Sequence, residues 1–261
     1  LSMLDSNPPP GVKVAVAGAL ARLVHPRGPA ALREMLTDAN ERIRLRAALL
    51  LLESGDTTAA QPLRDAAAKG NLPEETVVLI LGRLAQTGDA AAQQQLSARM
   101  AGEGFSQRRI SAAGQLARLG DERARAFLLQ GMQRPGPQQL ISALLLATVG
   151  DNAGYGLFKS TAIDAKQPIE ARHLAMDGLG ACGRRQGAVL LAGVLDETTT
   201  RPALRQEAAG AILKISGGDP TQIARQSLSW AQAALGHDSW LVREGKSTDL
   251  KKLLAPQLRE R

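Results

Sequence analysis

Three histidines, one cysteine and two glycine motifs are the residues of this 261-residue chain whose types and spacing could do chemistry. His25, His173 and His237 are followed by Pro, Leu and Asp and stand in unrelated contexts, which is no ligand spacing for a metal. Gly178-x-Gly180-x-x-Gly183 spells a pyrophosphate-cradling fingerprint. That chemistry needs the glycines after a strand, opening a helix whose N-terminus faces the phosphates. Here they close a helical run, so they read as packing glycines and a glycine C-cap. Gly245-Lys246-Ser247 resembles the end of a phosphate loop, but the required earlier glycine is Trp240. Cys182 falls in a core slot of its helix and reads as a buried, inert thiol. No catalytic, cofactor-binding or metal-binding constellation emerges, so the expectation is a non-enzyme with no cofactor.

Composition narrows the classes. Hydrophobic residues make up 44% and aromatics 2%, and the formal charge is +7. That is too apolar for a disordered tail, and no apolar run approaches the roughly 18 residues of a membrane span. A single cysteine excludes an internal disulfide framework, and the compartment expected is the cytoplasm. Residues 1–130 hold 16 basic and 13 acidic side chains and residues 131–261 hold 16 and 12, so basicity is not gathered in a tail.

What positions these residues is a repeat. Gly-Asp pairs stand at Gly55-Asp56, Gly88-Asp89, Gly120-Asp121, Gly150-Asp151 and Gly218-Asp219, with Gly183-Arg184 at the missing step. The steps are 33, 32, 30, 33 and 35 residues. Ala/Leu-rich runs precede the turns, at 12–24, 43–55, 76–88, 108–120, 138–150, 171–183 and 204–216. A second set comes after them, at 29–36, 59–70, 90–102, 122–132, 155–163, 187–195 and 221–235. Within the first set, Ile43, Ala47 and Leu51, or Leu204, Ala208, Ile212 and Ile215, lie on one face of a 3.6-residue helix. Strict alternation is nowhere sustained, so strands are not predicted. Each repeat is therefore a helical hairpin that must stack on its neighbours to bury its apolar face.

Asp38-x-Asn40-x-x-Ile43-Arg44-x-x-Ala47-Ala48-x-x-Leu51-x-x-x-Gly55-Asp56 resembles the short HEAT repeat of the phycobilisome-lyase type. Arg109-x-x-Ala112-Ala113-x-x-Leu116-x-x-Leu119-Gly120-Asp121 and Leu204-Arg205-x-x-Ala208-Ala209 resemble it as well. The likeness spans residues 7–245, about seven hairpins, and implies an all-α, α-α superhelix (α-solenoid). Val77 and Gln139 depart from the usual basic residue, and Gly217 lengthens the sixth turn. Deoxyhypusine hydroxylase, built on similar repeats, holds iron with His-Glu dipeptides; none occurs here, so that activity is not implied. HEAT-like DNA glycosylases handle bases with concave aromatics, and the six aromatics of this chain sit mostly at core-like spacings.

One solenoid domain is expected over 1–261, with a partial first hairpin at 1–24 and a capping segment at 237–261. Leu1-Ser2-Met3-Leu4 resembles the last turn of a hairpin's first helix with its beginning missing, unless Met3 is the start. At the other end Trp240-Leu241-Val242-Arg243 restarts the motif, Gly245–Thr248 breaks it, and 250–258 reads as a short terminal helix.

Two columns of the repeat carry the functional expectation. One reads Lys13, Arg44, Val77, Arg109, Gln139, Arg172, Arg205, Arg243. Its favoured role is a structural ladder in which Arg44, Arg109, Arg172 and Arg205 bond aspartates and helix ends. The competing role is an electropositive stripe for nucleic acid or an anionic surface. The other column takes positions two and six after Ile43 and its equivalents, at about 200° and 240° on the helical wheel, opposite the core. It holds Val14, Leu45, Leu49, Val78, Ile110, Leu140 and Leu144 with glycines at 18, 82 and 114, and then turns polar at His173 and Asp177. Read as exposed, this track docks an apolar peptide or helix of another, possibly acidic, protein, flanked by Arg42, Arg46 and Arg108. Read as buried, it packs against adjacent repeats. The function expected is a non-catalytic protein–protein interaction scaffold. Nucleic-acid binding, suggested by a pI near 10.1, and a chromophore-lyase-like subunit, suggested by the resemblance, are the alternatives.

Overall fold

Proline and capping residues start the helices, and a left-handed residue ends most of them. The computed structural model describes residues 8–196 and 202–216, which hold thirteen α-helices and no strand. The chain divides into two compact units, Leu1–Asp121 and Glu122–Arg261. The first contains α1 (Pro10–Arg22), α2 (Arg27–Glu34), α3 (Glu41–Glu53), α4 (Ala60–Ala68), α5 (Glu74–Gln86), α6 (Ala90–Met100) and α7 (Gln107–Arg118). The second contains α8 (Glu122–Met132), α9 (Pro137–Ala147), α10 (Tyr155–Ile163), α11 (Ile169–Cys182), α12 (Arg185–Asp196) and α13 (Pro202–Ser216). Odd-numbered helices are the second members of their hairpins. The expected hairpin array is present, an all-α fold of the solenoid class. The run 221–235, the segment 250–258, Leu1–Leu4, His237, Arg243 and the Gly245 motif lie outside the described residues.

Five odd helices enter on proline, with Pro9, Pro73 and Pro168 at the N-cap of α1, α5 and α11, and Pro137 and Pro202 in the first turn of α9 and α13. Proline suits that place because its missing N–H has no intrahelical partner there. Asn40 and Ser106 cap α3 and α7 by accepting from the amides of Arg42 and Arg109.

The Gly-Asp pairs acquire a physical role at the return turns. Gly55, Gly88, Gly120 and Gly150 have φ between +83° and +89°, the left-handed region that costs a glycine nothing. Their amides and those of the next residue bond back to the ending helix, as Gly55 N–H does to Leu52 and Asp56 N–H to Leu51. The aspartate then caps the next helical turn: Asp56, Asp89 and Asp151 accept from the amides of Thr58, Ala92 and Ala153. One residue closes a helix and the next opens another.

The first turn does the same with other residues. Val24 holds φ +57° in the glycine's place, and its amide and that of His25 make the same pair of bonds, to Ala21 and Leu20. His25 stands in the aspartate's place, its Nδ1 accepting from the Arg27 amide at 3.3 Å. Val24 is 89% exposed and Leu23 76%. The histidine is thus a cap, and the valine is strained.

In the first unit the odd helices α1, α3, α5 and α7 pack side by side in order; α3 and α5 also pack against the even helices on both sides of them, α1 against α2 and α7 against α6. Leu32, Leu51, Leu63, Ile80, Leu84, Leu96 and Leu116 fill the space between layers. In the second unit Phe158 is the largest core side chain of a cluster that includes Met176, Leu179, Leu191, Ala208 and Ile212. Of the positions assigned to the core by periodicity, Ala47, Leu51, Ala175, Leu179, Cys182, Leu204, Ala208, Ile212 and Ile215 are buried, while Ile43 and Ala171, in the first turns of their helices, are half-buried.

A β-branched residue in the left-handed region costs about 1–2 kcal/mol, part of which glycine returns through its freer unfolded chain. We expect Val24→Gly with His25→Asp to raise the urea unfolding midpoint, by about 1 kcal/mol in stability. A lower midpoint contradicts the assignment of strain to this turn.

Candidate interaction surface

Helix α5 of the first unit is packed by α3, α4, α6 and α7, and little of it beyond its first turn is left open. Val77, Val78, Ile80, Leu81, Gly82, Leu84 and Ala85 are buried. Thr76 and Arg83 are half-buried, and Leu79 and Gln86 are exposed. These four succeed one another at steps of 3, 4 and 3 residues, a single narrow stripe along the helix. The equivalent stripe is Ala15, Ala19 and Arg22 on α1, Arg46, Leu50 and Glu53 on α3, and Ser111, Gln115 and Arg118 on α7. Side by side they make one accessible face.

The apolar track expected at positions two and six is not that face. Val14 and Ile110 are 0% exposed and Val78 1%, while Leu45, Leu49, Leu140 and Leu144 are half-buried. On α1 and α5 the reason is the neighbouring odd helix. Leu50 of α3 lies where a Cβ at Gly18 of α1 would have to go, and Gln115 of α7 does the same over Gly82 of α5. The glycine gaps admit close approach, but of the next repeat rather than of a ligand. Val14, Val78 and Ile110 are therefore core residues, and the exposed docking track expected through them does not exist.

The flanking cations remain accessible. Arg42 and Arg46 are exposed on successive turns of α3, and among the described residues neither has a carboxylate partner. Arg108 is exposed and pairs with Glu74 at 3.1 Å, a carboxylate it shares with Arg99. Arg83 bonds Glu53 at 2.7 Å and Gln86 at 3.1 Å. Arg118 of α7 lies near enough to feel it: burial, and then the charge of Arg83, hold its guanidinium below its ordinary value.

The basic column of the repeat is turned inward to the hairpin. Arg44 donates to the carbonyls of Asp38 and Ala39, at 2.6 and 2.9 Å. Arg109 donates to the carbonyls of Met100 and Gly104, and Arg172 to that of Ala162 at 3.0 Å. These carbonyls stand at or just after the ends of the even helices, where orphan acceptors and the dipole both favour a cation. Lys13 pairs with Glu34 at 3.7 Å, Val77 is buried apolar, and Arg205 is 1% exposed. Three of the aspartates expected as partners of this column, Asp56, Asp89 and Asp151, are held by another one.

Sequence reasoning missed that second column. Arg33 donates from Nε to Asp56 at 2.8 Å, Arg64 to Asp89 at 2.7 Å and Arg125 to Asp151 at 2.9 Å. Each arginine sits on an even helix 23 to 26 residues before its aspartate, a spacing visible in the chain. The aspartate spends Oδ1 on capping the next even helix and Oδ2 on the arginine of the previous one. For Asp89, the Ala92 amide and then Arg64 hold the carboxyl below the usual range. Asp56 is lowered as well, burial opposing and the Thr58 and Arg33 bonds outweighing it.

The glycine fingerprint has no ligand to hold. Gly178 faces the Phe158 ring, where a Cβ would come within 2.5 Å of Cε1, and Gly180 lies against Ala211 of α13. Gly183, at φ +65°, is the C-cap of α11. Cys182 is buried, and burial pushes its thiol up to about 11 against the opposing charge of Arg184. Among the described residues no group of three or more His, Cys, Asp or Glu could hold a metal, and no helix is long and apolar enough to cross a membrane.

A family model described as HEAT repeats matches residues 1–79, which include α1 to α3, α4 and the start of α5. With the hairpin architecture, that match supports a HEAT-repeat protein; it does not reach the phycobilisome-lyase subfamily. No curated protein matches the chain.

Two measurements check these assignments. Ile110→Asp should unfold the protein, whereas Leu79→Asp should shift the melting temperature by little; equal effects contradict the placement of the open face. Asp89 has a lowered folded pKa, so its contribution is complete above the unfolded value of 3.8 and disappears as pH falls through the folded one. Arg64→Gln should therefore lower the melting temperature at pH near 7, and the gap to the wild type should narrow below about pH 3.8.

Proposed function

We propose that this chain is a non-catalytic protein-interaction scaffold whose partner lies on the open face of α1, α3, α5 and α7. HEAT repeats commonly mediate protein–protein interaction, and the general match to that family supports the class of function. The observation that carries the choice of face is Leu79. It is a large apolar side chain, 37% exposed in the middle of the stripe, with half-buried Leu50 on the adjoining helix. Arg46, Arg83 and Arg118 surround the two leucines together with Glu53, Gln86 and Gln115. An apolar centre with an arginine-rich polar rim is the composition of a protein contact rather than of a ligand pocket.

The test is capture of a partner from native extract by the full chain. The wild type should retain a specific protein, Leu79→Asp should lose it with little change in melting temperature, and Ile163→Asp, at an exposed apolar site in the second unit, should keep it. Retention by Leu79→Asp, or no specific capture by the wild type, overturns the reading.

A further inference from the structure

Charge is distributed over the odd helices in a way that total composition hides. The four odd helices of the first unit carry nine basic and four acidic side chains, whereas α9, α11 and α13 carry three of each. Two of the nine, Arg44 and Arg109, are spent on helix-end carbonyls, and Lys13, Arg83 and Arg108 on carboxylates. What is left for an outside partner is Arg22, Arg42, Arg46 and Arg118, all exposed. Arg118 donates to Gln115 at a long 3.5 Å, with no carboxylate partner among the described residues.

Arg42 and Arg46 stand one turn apart, about 6 Å between Cβ atoms, and like charges at that spacing disfavour the helix that carries them. Arg118 also feels the like charge of Arg83, which is itself paired with Glu53, and has no carboxylate of its own among the described residues. An anion laid against either pair removes the penalty. We propose that the open face of the first unit takes an acidic segment of another protein, its carboxylates on Arg42 and Arg46 and on Arg118 beside Arg83, with its apolar side chains on Leu50 and Leu79. This rests on the preceding reading of the face and names its partner's chemistry.

A peptide is favoured over a nucleic acid by what lies between the arginines. Glu53 and Glu75 interrupt the face, and a continuous polyanion would meet them. Phe105, in the loop before α7, is the one aromatic residue among 8–121, so no platform exists for stacking bases. An acidic segment that alternates with leucine avoids the two glutamates and covers the two leucines. Arginine suits this task because its planar fork grips a carboxylate in a bidentate way.

The experiment uses the full chain and fluorescence anisotropy. The probe is a fluorescein-labelled helical peptide of Glu, Ala and Leu with carboxylates four residues apart; the comparators are the same peptide with Gln for Glu and an oligouridylate of equal charge. The Glu peptide should bind at least about tenfold more tightly than either comparator. Arg42→Glu with Arg46→Glu should weaken it about tenfold, while Lys159→Glu with Lys166→Glu, the same change of charge on the second unit, should leave it within about twofold. Equal loss in both double variants means a general attraction to a basic chain and overturns the proposal, as does equal binding of the Gln peptide or of the oligouridylate. If the urea midpoint of Arg42→Glu with Arg46→Glu falls, Arg42→Gln with Arg46→Gln replaces it and the same tenfold criterion applies. Partner capture separates the two readings. Capture that survives the arginine changes but not Leu79→Asp leaves the scaffold reading standing and removes the acidic partner. Capture that survives Leu79→Asp removes the face itself.

Discussion

A helical hairpin of this length cannot bury its own apolar side, and everything else in the chain depends on that constraint. In the first unit α3 and α5 each meet two even helices and two odd neighbours, so they are covered on three sides. The glycines at 18 and 82 exist for this contact, since a methyl group there would meet Leu50 or Gln115. The arginines at 44 and 109 serve the same end differently: they satisfy the carbonyls where an even helix stops and the chain must turn into the odd one.

The return turns show how few residue types the constraint demands. A left-handed residue ends the odd helix, an acceptor caps the even helix, and an arginine from the previous even helix takes the acceptor's second oxygen. Singly, an exposed ion pair is worth little and a cap about 1 kcal/mol. Placed on one carboxylate, they link the spacing of two successive even helices to the geometry of the turn between them. The first turn keeps the hydrogen bonds with Val24 and His25, which shows that the bonds, and not the residue names, are what the architecture needs.

This division explains what was legible in the sequence. The period, the hairpins, the core column of Ala47, Leu51, Leu179 and Ile212, the packing role of Gly178 and the capping role of Gly183 could all be read from residue type and spacing. The face could not. A helical wheel places the exposed side opposite the core, which holds for a helix covered on one side. Here Val78 lies on the side opposite the core column and is still buried, because the odd helix α7 stands there. The open arc moves to positions three, seven and ten, where Leu79, Arg83 and Gln86 lie. Arg33, Arg64 and Arg125 escaped notice for a related reason. Their partners are on a different repeat, and the signal is a fixed separation of an arginine from a later aspartate rather than a motif.

The narrowness of that arc bears on function. A fold that leaves three or four positions of each odd helix uncovered leaves few places where specificity can be written, and those positions are under no packing demand. In the first unit they hold Arg46, Leu79 and Arg118, with Arg83 paired to Glu53 between them, and among the described residues Arg46 and Arg118 have no carboxylate partner. On the second unit Lys214 of α13 pairs with Asp177 of α11, so cation and anion are matched within the chain. Where charges are already matched, an outside anion gains nothing. Where they are left unmatched beside an exposed leucine, the gain is available only from another molecule, and that asymmetry is the reason for proposing the face on the first unit.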